Sequence, residues 1–403
     1  MALFSSKPSG SVFGGACLIA GTTIGVGMLG LPVVTAAGGF IPALALYLLC
    51  WVFMLATGLL TLEVCIWMPK EANMITMASR LLGTPGKIVC WCVYLFFFLA
   101  LMVAHIASGG GILREVLGEG APTWISPILY VIAFLPFVYA GTHVVDKTNR
   151  FLMAGLIASY LLFVVTSLKF VDTSLLFHQN WSKAWFALPV LFTAFGYQAI
   201  LPTLMNYMDR DVKRVRLAIF LGTALPLVIY LIWEFLILGI IPLEGPNGLL
   251  EAEKLGHTAV IPLRAITEHG YLFIIGKWFA FFTMTASYLA IALAYMDFLA
   301  DGFQWKKTVQ KKIYLALLVF IPPTLIALFY PTVFLTALGY AGGFSCAILF
   351  GLFPPIMVWV GRHYAHYQDD TKQLFGGRYL LAVLILFVFF EIGIEIISQS
   401  LAR

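Results

Sequence analysis

Residues Gly21-Thr22-Thr23-Ile24-Gly25-Val26-Gly27-Met28-Leu29-Gly30-Leu31-Pro32 lie inside an apolar run from Phe13 to Val34. A run of that length crosses a bilayer, since about 20 residues suffice. The stretch is nevertheless a poor continuous helix. It holds four glycines and a proline in twelve residues, each glycine costing about 1 kcal/mol and the proline about 3 kcal/mol relative to alanine. Backbone N–H and C=O groups released by an unwound turn find no water in hydrocarbon, so a break survives only where protein buries it or a wet cavity borders it. The stretch is therefore either a binding break in a membrane span or a glycine-rich packing face for a neighbouring helix.

The rest of the chain decides that the setting is a membrane. With 61% hydrophobic and 11% charged residues, its 403 residues carry too little polar surface for a soluble globule. Cys17, Cys50, Cys65, Cys90, Cys92 and Cys346 all fall inside apolar runs, where cysteine behaves as a small hydrophobe rather than a disulfide or metal partner. The first apolar run lacks a small-residue cleavage site and continues into the glycine-rich stretch, which reads as a retained span and no signal peptide.

Hydropathy divides the chain into eleven candidate spans: 13–34, 41–67, 88–112, 125–140, 151–170, 185–206, 217–241, 271–299, 313–329, 333–360 and 379–397. The predicted fold class is an all-α polytopic membrane protein with 11 transmembrane helices, forming a single domain over 1–403. The ninth and tenth spans are parted only by Tyr330-Pro331-Thr332, and Pro354-Pro355 lies inside the tenth. With the N-terminus inside, 17 of the 24 lysines and arginines fall in cytoplasmic segments and six outside. That bias obeys the positive-inside rule and places the N-terminus in the cytoplasm and the C-terminus in the periplasm. The net charge of +5 thus reports topology and gives no reason to invoke nucleic acid. The longest outer loop, from Pro242 to Gly270, mixes acidic and apolar residues and is expected to fold into short helices capping the outer face.

A second interruption makes the first one informative. In the sixth span, Phe192-Thr193-Ala194-Phe195-Gly196-Tyr197-Gln198 again puts a glycine at mid-membrane, with Pro202 six residues on. Spans one and six lie five apart and so run in opposite directions. Interrupted helices at matching positions of two inverted halves point to the midplane site of a secondary transporter. The repeats would cover about 11–172 and 183–360, with the helix 379–397 appended.

The chain resembles the hydroxy and aromatic amino acid permeases, most closely their tyrosine and tryptophan branch, within the amino acid/polyamine/organocation superfamily. The resemblance rests on Ala20 to Pro32, on Leu62-Glu63, on Gly141 to Arg150, on Phe192 to Tyr197 leading to Tyr207-Met208-Asp209, on Met296 to Asp301, and on Phe329-Tyr330-Pro331 with Leu338 to Gly342. It implies a LeuT-type 5+5 inverted repeat with broken first and sixth spans plus one extra C-terminal helix. It also implies proton-coupled uptake of tyrosine or tryptophan, with phenylalanine a third candidate, across a bacterial inner membrane. A sodium-coupled or a hydroxy/neutral (serine, threonine) carrier is the alternative. No cofactor, metal or nucleic acid is expected, and the chain is read as a monomer.

Read physically, an amino acid zwitterion at the midplane needs donors for its carboxylate and acceptors for its ammonium. The half-helix after Gly25 offers the N–H groups of Val26 and Gly27 with its positive dipole end. Carbonyls near Thr23, Ile24 and Phe195 offer acceptors. Gly25, Gly27 and Gly196 leave room for the substrate to approach the backbone. Phe192, Phe195 and Tyr197 are candidates for an aromatic wall, or for bundle packing. Thr22, Thr23 and Thr193 are secondary candidates, because hydroxyls in membrane helices commonly bond their own i−4 carbonyl. In sodium-coupled relatives of this fold a cation site lies at positions that look like Gly21, Ile24, Thr285 and Ser287 here, and oxygen ligands suit such an ion.

Ionisable groups within spans complete the set. Glu63 is expected to contact freed backbone donors of the sixth span, or to snorkel at the surface. Glu234 and Lys277, at similar depth and of opposite sign, are a possible ion pair of unknown azimuth. Glu391 and Glu395 stand outside the repeats, where structural or interfacial roles are expected. Among seven histidines, His105 alone lies within a span, 17 residues past Ile88, about 25 Å along the helix. It replaces the tyrosine that the resemblance leads one to expect. It is predicted to face the substrate cavity and set the pH dependence, its ordinary pKa of about 6.5 suiting that task, the alternative being a neutral packed imidazole. An ion channel would need charged pore rings and a membrane enzyme clustered catalytic side chains, and the chain shows neither pattern.

Overall fold

The computed structural model describes residues 10–117, 122, 124–266, 270–306, 308–367 and 371–401, Glu71 excepted. Every long element is helical. In order they are α1 (Val12–Thr23), α2 (Val26–Thr35), α3 (Phe40–Trp67), α4 (Met74–Leu117), α5 (Ile125–Ala140), α6 (Thr142–Ser167), α7 (Trp181–Ala184), α8 (Leu188–Ala194), α9 (Leu201–Tyr207), α10 (Val212–Ile240), α11 (Leu249–Lys254), α12 (Leu263–Ile266), α13 (Tyr271–Gly302), α14 (Val309–Phe329), α15 (Phe334–Tyr340), α16 (Phe353–His363) and α17 (Gly377–Leu401). Among the described residues nine helical segments are long and apolar enough to cross a membrane, and the bent pair α1 and α2 makes a tenth. The 16-residue α5, a shorter apolar helix, matches the fourth span read from the sequence; it rises about 24 Å at 1.5 Å per residue.

The hydropathic spans report only the part of each helix that lies in hydrocarbon. Thus α6 starts at Thr142, nine residues before its apolar run, and carries an exposed Arg150–Asp146 pair at 2.6 Å on that first part. Helix α4 likewise begins at Met74 and passes a kink at Gly83, whose φ of 72° favours glycine, before it enters the bundle. The break at Tyr330-Pro331-Thr332 separates α14 from α15. Pro354 and Pro355 do not interrupt the tenth span: they open α16, directly after a π-helical stretch Ala341–Leu352, where the missing prolyl N–H groups do least harm. In the long loop that follows α10, α11 and α12 are the short helices expected there, and the Ala259 N–H donates to the Leu29 carbonyl at 3.0 Å, docking the loop on α2.

Helix α1 packs along α10, where Gly222 leaves so little space that an added Cβ would sit 2.7 Å from Ile19 and 2.8 Å from the Ala16 carbonyl. Its buried face is Gly15, Ala16, Ile19, Ala20 and Thr23. The opposite face, Cys17, Leu18, Gly21 and Thr22, is not covered by protein. On α17, Glu391 and Glu395 turn inward and are buried; Glu395 lies over Gly343 and accepts from the Gln399 amide at 2.9 Å.

The end of α3 that carries Glu63 is closed by two arginines. Arg210, after α9, donates to the carbonyls of Cys65 at 2.7 Å, Ile66 at 3.1 Å and Met68 at 3.0 Å, which satisfies the terminal acceptors of α3. Arg362 on α16 meets Glu63 in a bidentate pair, both N···O distances 2.7 Å, and the Gln373 N–H donates to the same carboxylate at 2.9 Å. This corrects the expectation for Glu63. Its partners come from the tenth span and the segment after it, not from freed backbone of the sixth span.

Both side chains of that pair are buried, with 0% of Glu63 and 6% of Arg362 exposed. Removing one partner of such a pair strands the other charge and costs about 3–5 kcal/mol. Glu63→Ala is therefore expected to lower the unfolding midpoint of detergent-solubilised protein sharply, while Glu63→Ala combined with Arg362→Met loses less than the two single losses together. Strictly additive losses would show that the two charges are not coupled.

Candidate functional site

The first break is short and sharp. Helix α1 ends at Thr23, Ile24 (φ −74°, ψ 107°) and Gly25 (φ −160°, ψ −154°) are extended, and α2 restarts at Val26 after a bend of 58°. Gly25 is the N-cap and offers no side chain, so the first N–H groups of α2, on Val26 and Gly27, precede any intrahelical acceptor. The reason for glycine at 25 is space rather than torsion. A Cβ there would stand 2.7 Å from Ser287 Oγ.

The second break faces the first. Helix α8 ends at Ala194, Phe195 (φ −102°, ψ 5°) and Tyr197 (φ −142°, ψ −7°) leave the helical region, and the chain resumes through a 3-10 turn, Gln198–Ile200, into α9. One hydroxyl joins the two. Tyr230 Oη on α10 lies 2.7 Å from the Thr23 carbonyl oxygen and 3.0 Å from that of Ala194, so its single proton is shared between the last carbonyls of both half-helices. Across the gap, the Cα of Gly27 comes so near α8 that a Cβ would sit 3.3 Å from Ala194.

Gln198, fully buried, completes the second break. Its carbonyl accepts the Tyr197 N–H at 2.9 Å, and its amide donates to Thr57 Oγ1 at 3.0 Å and the Met54 carbonyl at 3.3 Å. Tyr230 and Gln198 were not among the sequence candidates. A polar residue beside Gly196-Tyr197 in an apolar run was the available signal for Gln198, whereas nothing local marks Tyr230.

His105 is 1% exposed and reaches the first break through one intermediary. Nδ1 lies 2.7 Å from the Leu101 carbonyl and Nε2 lies 2.9 Å from Ser287 Oγ. Ser287 is the residue whose oxygen abuts Gly25. His105 thus approaches the backbone break only through a serine hydroxyl, which stands between the imidazole and Gly25.

Other candidates are placed differently. Thr22 and Thr23 donate to the Ile19 carbonyl at 2.7 and 2.8 Å and brace the last turn of α1; Thr193 donates to the Leu338 carbonyl at 2.8 Å, pinning span six to span ten. Phe192 stacks on Phe53 (5.2 Å) and meets Phe387 (6.1 Å), Phe195 lies edge-on to Tyr47 and Tyr230, and Tyr197 Oη donates to the Met54 carbonyl at 3.2 Å. These three rings pack the bundle. The ring beside Gly196 is instead Phe350 of the π-helical stretch, 3.2 Å from where a Cβ would stand, and Phe97 of α4 meets Phe350 edge-on at 5.8 Å.

Glu234 and Lys277 do not pair. Glu234 is fully buried and bonded by the hydroxyls of Thr35 and Tyr47, the latter at 2.8 Å. Lys277 lies over the Phe273 ring at 5.7 Å and borders a separate cavity with Tyr130, Phe134 and Thr285. That placement also takes Thr285 away from the candidate cation set. Two positions apart on a helix turns them about 200°, so Ser287 faces Gly25 while Thr285 faces α5. Gly21 lies on the uncovered face of α1, with nothing within 4 Å of its missing Cβ.

Beyond His105 toward the C-terminal end of α4 opens a vestibule of about 560 Å³, bordered by Ser108, Gly111, Arg114, His257 and Thr332. The Arg264–Glu115 pair, 3.0 Å, lies on its rim. Burial holds the His257 imidazole below its ordinary range, against an upward pull from Glu115.

Known proteins agree with this geometry. The chain is 33% identical over 379 residues to the tyrosine-specific transport system 1 of Haemophilus influenzae, covering 93% of this chain and 94% of that protein. It is 29% identical over 406 residues to the tryptophan-specific transport protein of the same organism, covering 97% and 96%. Among solved structures, that of MhsT in complex with L-phenylalanine superposes with a TM-score of 0.62 at 16% identity, over 99% of this chain and all of the other, which shows the LeuT-type fold. Residues 8–395 match the tryptophan/tyrosine permease family, and the chain belongs to that family: it is an amino acid permease of the tyrosine and tryptophan branch, not an enzyme.

Proposed function

We propose that this permease imports aromatic amino acids, tyrosine or tryptophan with phenylalanine as a third candidate, by proton symport with alternating access across a bacterial inner membrane. The observation that carries the reading is the pair of breaks joined by Tyr230. The substrate carboxylate meets the N–H groups of Val26 and Gly27 at the start of α2, where the helix dipole favours an anion. The ammonium meets carbonyls at the ends of α1 and α8. The side chain lies past Gly196 toward Phe350 and Phe97, aromatic contacts worth about 0.5–1.5 kcal/mol each beyond burial.

Alternating access is supported by uncovered faces on two helices that meet at the break. Below Gly25 the face of α1 through Thr22, Gly21, Leu18 and Cys17 is open, and below Ser287 so is the face of α13 through Ala290, Ala294 and Asp297. With the N-terminus cytoplasmic, these faces border an inward path to the site. Ala294→Cys in a cysteine-free background should react with a hydrophilic thiol reagent in inside-out vesicles and be slowed by substrate. Labelling only from the outer side would reverse the orientation.

Protons are preferred over sodium as the coupling ion because Thr285 and Ser287 face different flanks of α13 and Ser287 is engaged by His105. In proteoliposomes, an inward pH gradient without sodium should drive accumulation of labelled tyrosine, and excess tryptophan or phenylalanine should compete. Accumulation driven by a sodium gradient alone, or competition by serine and threonine only, would replace this reading with its alternative.

The breaks themselves make a further prediction. Gly25→Leu and Gly196→Leu should abolish uptake while the protein still inserts. Tyr230→Phe, which removes one shared hydrogen bond worth about 1 kcal/mol, should lower substrate affinity by about fivefold. Normal uptake by both leucine variants would remove the breaks from the transport site.

A further inference from the structure

His105 and Ser287 form a hydrogen-bonded pair whose direction is fixed by counting protons. The Leu101 carbonyl can only accept, so the 2.7 Å contact requires a proton on Nδ1. With the imidazole neutral, Nε2 then carries a lone pair, and the 2.9 Å contact is a hydrogen bond donated by the Ser287 hydroxyl. In that setting Ser287 turns its proton toward α4 and presents only lone pairs to Gly25. A carboxylate arriving at the break would meet oxygen lone pairs there, which repel it.

We propose that Ser287 is the hydroxyl through which a proton on His105 is sensed at the substrate carboxylate, which deepens the proton-coupled reading above and rests on it. A proton added at Nε2 makes that nitrogen a donor to Ser287 Oγ. The serine proton is then released from Nε2, rotates about the Cβ–Oγ bond and points at the break. There it donates to one carboxylate oxygen, beside the N–H groups of Val26 and Gly27. One proton is taken up and one carboxylate bound, no covalent bond of the substrate or serine is broken, and the imidazolium gains an anion one hydroxyl away.

The surroundings make the two events interdependent. The titratable groups near His105 are phenols: Tyr288 on α13, with ring centroids 6.2 Å apart, and Tyr130 on α5, 5.0 Å beyond Tyr288. Charged groups on the elements packed against α4 stand toward the membrane ends. Lys277 and Asp297 on α13 are each ten residues from Ser287, about 15 Å along the axis. Lys312 is in the first turn of α14, and Arg362 on α16 is taken by Glu63. Among the described residues an imidazolium in this pocket has no counter-charge beside it, and a buried unpaired charge is costly. The carboxylate supplies the missing partner, and by linkage each ligand raises the affinity for the other by the same factor. Gly25 is indispensable to this arrangement, since any side chain there would displace the oxygen that relays the signal.

The test measures equilibrium binding of tritiated tyrosine and of tritiated tryptophan to the detergent-solubilised protein, without gradients. The two conditions are about pH 5.5 and about pH 8, either side of the ordinary imidazole pKa of about 6.5. The unmodified protein should bind at least about tenfold more tightly at the lower pH, a coupling of ordinary allosteric size. Ser287→Ala and His105→Gln should both bind more weakly and vary less than about twofold between the two conditions. Ser287→Thr, which keeps the hydroxyl, should restore the pH dependence and report that the alanine variant failed for lack of the oxygen. Should Ser287→Ala retain the full pH dependence of the unmodified protein, the serine relay is wrong while proton coupling stands. If binding to the unmodified protein does not depend on pH, and a sodium gradient drives its uptake, the coupling reading and the relay fall together.

Discussion

Backbone polarity in hydrocarbon is the constraint on which the rest of this structure depends. Two helices are opened at the centre of the bundle, and each opening exposes carbonyls and amides that lipid cannot satisfy. Tyr230 answers the first need by placing one hydroxyl between the Thr23 and Ala194 carbonyls. Gln198 answers the second by folding its amide over the Tyr197 N–H and reaching back to α3. With these groups satisfied, the N–H groups of Val26 and Gly27 at the start of α2 remain as donors beside the gap. On the proposed reading a ligand carboxylate meets them, and substrate binding and backbone satisfaction become two aspects of one requirement.

The breaks were legible because glycine and proline act locally. Gly25 and Gly196 lie in stretches that glycine and proline weaken as helices, and the offset of five between spans one and six fixed their opposite directions. Tyr230 was not legible because its role depends on carbonyls 207 and 36 residues away, and its own helix gives no sign of interruption. Helix rotation was likewise hidden. Hydropathy fixes depth but not azimuth, which neighbouring helices set by packing. Glu234 and Lys277 share a depth, yet one turns to Tyr47 and the other to Phe273. The same blindness grouped Thr285 with Ser287 and put Phe192 at the site. His105 was visible as the lone histidine in a span, but its serine partner lies 182 residues on.

Two kinds of buried charge coexist in this bundle and serve different ends. Glu63 is matched by a bidentate arginine and a backbone amide, which makes it a fixed joint between spans two and ten. Glu234 has only hydroxyl partners, and both Glu391 oxygens are buried without a partner among the described residues. The buried ion pair of Glu63 and Arg362 lies at the end of α3, away from the two breaks.

That joint also has a place in time. Glu63 leaves the ribosome 299 residues before Arg362, a lag of roughly 15 to 60 seconds at the usual pace of synthesis. Throughout that interval the arginine that matches the second span's carboxylate has not yet been made. The chain therefore cannot complete this fastening until the tenth span has been delivered. Assembly is ratified late, by a contact that only a nearly finished polypeptide can make.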